Sequence, residues 1–153
     1  MLAWSRWLLL FGIAGQPLFG QQVLIRNASP ALITQTAAQY LQPDGFVLVR
    51  SDSLGAEFGL DRGKIPQHGM FHSGRVRNNL FRVIMEVHLS FKPQKDGSVV
   101  SVYEDAVVLD DDSAFVQRRR VTTRSELDNL RAFLTDLQNQ VQARVGQSDS
   151  TKP

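Results

Sequence analysis

Phe81, Val83, Met85, Val87, Leu89 and Phe91 alternate with Arg82, Ile84, Glu86, His88, Ser90 and Lys92. A period of two held over eleven residues predicts a strand with one face in a core and one toward water. Residues 93–97 supply a hairpin loop with Asp96-Gly97 as its turn signal. Residues 99–109 return as the next strand, with an apolar phase split around Glu104-Asp105 that predicts a bulge or a strand end. Upstream, residues 46–51 and 56–62 flank the turn Asp52-Ser53-Leu54-Gly55 and read as a hairpin. Residues 115–121 follow an acidic turn as a fifth strand.

The period changes to helical in two places. In residues 30–42, Ile33, Ala37, Tyr40 and Leu41 share a face, Ser29 offers an N-cap and Pro30 suits the first helical position. In residues 124–145, Leu127, Leu130, Leu134, Leu137, Val141 and Val145 form a stripe widened by Phe133. Thr123 and Glu126 make a capping-box pattern at its start, and Gly146 is the expected stop. The stripe also steps like a coiled-coil seam, so monomer or weak dimer is the expected state. The pattern predicts an α+β fold, a single antiparallel sheet of about five strands packed by an N-terminal helix and a long C-terminal helix.

Residues 63–79 break the regularity, with three glycines, one proline and two histidines. A connection that long reads as a functional loop or lid. The first residues read as an address. Arg6 is the only charged side chain before Arg26, an apolar run from Trp7 to Ala14 follows, and Gly15-Gln16-Pro17 ends it. That order predicts a signal peptide over residues 1–22, too short to span a membrane. A single domain over 23–146 and a disordered polar tail over 147–153 complete the expected organisation.

Composition narrows the function classes. The chain has 153 residues and no cysteine, so it has no thiol nucleophile, no cysteine-based zinc site and no lipid-anchoring cysteine. The expected location is the periplasm or the medium, with no membrane-integral segment after cleavage. Net charge is +2, and loss of Arg6 with the leader brings it to +1, which argues against nucleic-acid binding. The run Leu41-Gln42-Pro43-Asp44-Gly45-Phe46, a strand, and then Asp52-Ser53-Leu54-Gly55 entering the next strand resembles the opening of small helix-grip domains. Such domains occur in exported bacterial envelope proteins, including accessory lipoproteins of outer-membrane assembly. The resemblance covers residues 30–145 as an element order and about 41–55 as a motif. It implies a protein-interaction or ligand-sheltering role and carries no catalytic residues.

Candidate chemistry is sparse. His68 and His72, four apart, are the weak metal candidates, but Pro66, Gly69 and Gly74 oppose the helix that would align them. His88 falls on the water-facing phase of its strand. Arg118, Arg120 and Arg124 form an anion-patch candidate, against which stands pairing across the sheet with the acidic strand. Glu57 and Glu104 carry no weight as a glycosidase pair, and no serine elbow, Walker loop, dinucleotide fingerprint or zincin motif occurs. No cofactor is expected. The reading that results is a non-enzymatic exported domain that binds an unknown envelope or extracellular protein. The alternative is a carrier of a small apolar ligand, with Phe81, Met85, Phe91 and Phe133 lining a cavity between sheet and C-terminal helix.

Overall fold

Alternation in the long strands leaves each with one apolar face, and an antiparallel sheet closed by helices on that side buries it. A computed structural model has this arrangement and describes residues 21–66, 80–110 and 116–149. The order is β1 (Gln22–Arg26), α1 (Pro30–Leu41), a 3₁₀ turn (Gln42–Asp44), β2 (Val47–Ser51), β3 (Gly55–Pro66), β4 (Leu80–Gln94), β5 (Gly97–Asp110), β6 (Val116–Arg120) and α2 (Arg124–Asp149). All pairings are antiparallel, in the order β1-β5-β4-β3-β2. β1 and β6 share one edge of β5, β1 along Gly97 to Ser101 and β6 along Asp105 to Leu109.

Both helices form where the sequence places them, although at the start of α2 the Thr123 hydroxyl bonds to the Glu126 carboxylate and no reciprocal backbone cap is seen among the described residues. Ser29 Oγ accepts from Leu32 N at 3.2 Å, and Pro30 takes a position where its missing N–H costs nothing. The stripe of α2 is core: Leu130, Phe133, Leu134, Leu137 and Val141 are buried against α1 and the sheet, with Val145 packed at the margin. The sheet contributes Ile25, Ala56, Phe58, Val87, Leu89, Phe91, Val100 and Val102. Tyr40 of α1 meets Phe133 ring to ring at 5.1 Å and donates its hydroxyl to Asp136 of α2. Polar side chains of α2 also cover the outer edge of β1, where Gln138 donates to Leu24 O and Gln142 to Arg26 O.

Three local expectations need correction. β5 runs without a bulge at Glu104-Asp105, its register with β4 unbroken from Phe81↔Asp110 to Gln94↔Gly97. Arginines on β6 neutralise Asp105, so the strand has no reason to break. The bulges lie elsewhere: at Val49 on edge strand β2, and at Arg62-Gly63, where Gly63 supplies φ +74°. The expected loop at 63–79 begins later, because β3 continues to Pro66, and residues 67–79 lie outside the described set. Gly146 does not stop α2, which continues to Asp149.

The strand β1 has no counterpart in the pattern of the sequence. It begins at Gln22, the last residue of the expected leader segment, and residues 1–20 lie outside the described set. Its closure on β5 makes Gly97 necessary, since a Cβ there would sit 2.1 Å from Ile25 O. Phe58, wholly buried on β3, is the test of this core. Phe58→Ala should cost about 3–5 kcal/mol in urea denaturation, while Val49→Ala on the exposed edge should stay within about 0.5 kcal/mol. A loss at Phe58 no larger than that at Val49 would contradict the packing.

Candidate functional site

The face of the sheet turned away from the helices carries the chemistry. Register aligns Glu57 of β3, His88 of β4 and Tyr103 of β5 in one row across that face. The next row aligns Gly59, Glu86, Asp105 and Arg120, and the one after it Asp61, Ile84, Val107 and Arg118. Arg50 of β2 joins opposite Glu57.

These side chains form one ion network. Asp105 accepts from Arg120 Nε at 2.5 Å and from Arg118 Nη1 at 3.4 Å. Arg118 Nη1 also lies 2.9 Å from Glu86 Oε2, and Arg50 Nε lies 2.8 Å from Glu57 Oε2. His88 stands amid the carboxylates, with Nε2 3.2 Å from Glu86 and 3.8 Å from Asp105, and Nδ1 3.8 Å from Glu57. Its ring stacks on Tyr103 at 4.6 Å, and the Arg120 guanidinium lies 3.8 Å from the Tyr103 centroid. Three carboxylates and three guanidinium groups balance around the His88 imidazole. That balance allows an Asp105 side chain only 3% exposed to remain in the sheet surface. His88, on the phase expected to face water, is likewise covered by its neighbours.

Hollows lie on both sides of the sheet. On the open face a cavity of about 220 Å³ is lined by Arg50, Asp52, Glu57, His88, Ser90 and Tyr103 among others. On the helix side a hollow of about 270 Å³ at the start of α2 is bordered by Met85, Ala106, Arg119, Val121, Thr123 and Glu126. Near the latter, burial and then the charge of Glu126 push the Glu104 carboxyl above its ordinary range. Further along β3 on the open face, the Arg82 hydrogen bond holds Asp61 below its ordinary range.

The residues singled out in the sequence fall in different places. Arg118 and Arg120 belong to the network, whereas Arg124 is exposed on the first turn of α2. Phe91 and Phe133 lie in the packed core, Met85 borders the second hollow and Phe81 is half-buried near the start of β4. Ten residues of strand separate Phe81 from Phe91 by about 33 Å, so the four do not gather around one space. Glu57 and Glu104 sit on opposite faces of the sheet. His68 and His72 lie outside the described residues. Among the described residues, no three His, Asp or Glu side chains are grouped to hold a metal ion.

Sequence reasoning missed Glu57, Glu86, His88, Tyr103 and Asp105 as a group. The usable signal was the shared phase of Glu86 and His88, together with Arg118 and Arg120 two apart facing an acidic strand. Comparison with known proteins finds no family model that matches this chain and no curated protein that matches it. No helix among the described residues is long and apolar enough to cross a membrane.

Removing both Arg118 and Arg120 leaves Asp105 and Glu86 uncompensated, so the double alanine variant should lose about 3 kcal/mol in chemical denaturation. Arg119→Ala, on the same strand but the opposite face, should change stability by less than about 0.5 kcal/mol. Equal effects would mean that the network contributes nothing. Glu104 tests the other face. A carboxyl raised in the folded state favours folding while protonated, and loses that contribution as pH rises through its folded value. Glu104→Gln should therefore stabilise the domain at neutral pH, by about 0.5 kcal/mol once solvent screening is allowed for. The gain should vanish in acid, and a gain that grew as pH fell would contradict the sign.

Proposed function

We propose that this chain is an exported, non-enzymatic accessory domain of the cell envelope that docks a partner protein along β2 and the turn after it. One observation carries the reading. Among the described residues, the large apolar side chains left exposed are Val47 (65%), Leu48 (44%), Val49 (59%) and Leu54 (66%), all within eight residues. A concentrated apolar stretch on a sheet edge is a feature of interaction surfaces, because a bare edge otherwise invites uncontrolled pairing. The opposite edge supplies the contrast, since glutamines of α2 occupy the carbonyls of β1. The leader-like first residues support export, and the helix-grip resemblance implies the same class of role. The carrier alternative retains the hollow beside Met85, whose charged rim of Arg119 and Glu126 suits an apolar ligand poorly.

Photocrosslinking residues at positions 49, 54 and 95, expressed in the full chain in cells, test the proposal. Discrete adducts should form from 49 and 54 and not from 95, which lies in the β4–β5 turn. The recovered protein should also be shorter by about 20 residues and leave the cytosol. Absence of adducts at 49 and 54, or the same adducts at 95, would remove the docking surface. A full-length chain kept in the cytosol would remove the export half.

A further inference from the structure

We propose that the cavity beside His88 on the open face binds a primary ammonium group. The inference stands on the chemistry of that cavity and does not depend on docking along β2. Its lining is rich in acceptors that the fold leaves uncommitted. Asp52 uses Oδ1 to hold the turn, accepting from Leu54 N at 2.7 Å and Gly55 N at 3.0 Å, and Oδ2 makes no hydrogen bond within the described residues. Glu57 uses Oε2 for Arg50, and its Oε1 makes no hydrogen bond within the described residues.

His88 is oriented by the same logic. Its Nε2 faces a Glu86 carboxylate, which can only accept, so Nε2 carries a proton and the ring is held in the cavity wall. Glu57 Oε2, 3.8 Å from Nδ1, is too distant for a hydrogen bond. Ser90 and Tyr103 add hydroxyl oxygens to the wall. Against these stands one guanidinium, Arg50, whose Nε is already committed to Glu57.

That balance selects the ligand. The lining carries two carboxylates against one guanidinium, so an anion would meet net repulsion. A sugar would need an aromatic platform, but the Tyr103 ring is already engaged by His88 and Arg120. A group with several N–H donors and a positive charge matches both the acceptors and the charge, and an ammonium supplies three donors on a compact centre. Two sources share that chemistry: a free amine, or a lysine side chain presented by a partner.

The test is a ¹H–¹⁵N NMR titration of the mature chain with methylammonium, with N-acetyl-lysine amide and with tetramethylammonium, which has charge but no donor. Methylammonium should give saturable shifts at the amides of Gly55, Glu57, His88 and Ser90, and tetramethylammonium should not. Glu57→Gln and Asp52→Asn each keep the oxygen used inside the protein and remove the negative charge, and each should weaken binding about tenfold. Tighter binding of the lysine derivative than of methylammonium assigns the site to a partner's lysine, and equal binding assigns it to a free amine. Shifts that do not saturate, or that tetramethylammonium reproduces, overturn the proposal in the wild-type protein alone. Unchanged affinity in both variants overturns it independently.

Discussion

The register of β4 against β5 is the constraint from which both faces of the sheet follow. Along this pair, Val87, Leu89 and Phe91 meet the helices while Glu86, His88 and Ser90 meet the other side. A slip of one residue would exchange the two sets, bury a carboxylate and an imidazole under α2, and expose three core side chains. Two features hold the register. The tight turn at Lys95-Asp96 is backed by β1, which closes so near that only glycine fits at position 97. At the other end, Asp105 can meet Arg118 and Arg120 only if β5 presents it on the open face.

The ion network therefore has a role in specification as well as a cost. Burying Asp105 and His88 in a sheet surface requires every charge to find a partner, and replacement by apolar residues of similar volume could leave the fold equally stable. What the charges add is a penalty on wrong pairings of β6, because a one-residue shift would turn Arg118 and Arg120 toward the helix side. The network also makes a rigid acceptor-lined wall for the neighbouring cavity, since Glu86 orients His88 and Arg50 orients Glu57.

The two edges of the sheet are treated differently. The β1 edge is tied down by α2, whose glutamines reach the β1 carbonyls. The β2 edge is short, bulged at Val49 and apolar on the outside. A bulge discourages continuous sheet growth, so the edge suits side-chain contact better than strand addition. This asymmetry directs attention to β2 as a contact surface, close to the cavity wall that Arg50 and Leu54 share.

Much of the fold was legible along the chain because its signals are local. The alternation in residues 81–91, the cap at Ser29 and the stripe of α2 each lie within one element, and each element formed. The strand β1 was not legible, since five residues of mixed character acquire strand structure only by pairing with Gly97 to Ser101. The candidate site was hidden for a similar reason. Glu57, His88, Tyr103 and Arg120 are spread over more than sixty positions and meet only through the register of four strands. Sequence by itself determined which residues alternate, where helices start, and that cysteine chemistry is absent. Tertiary structure alone decided that His88 would be covered, that Asp105 would be neutralised, and that an acceptor-lined cavity would form, because those outcomes depend on neighbours brought together across strands.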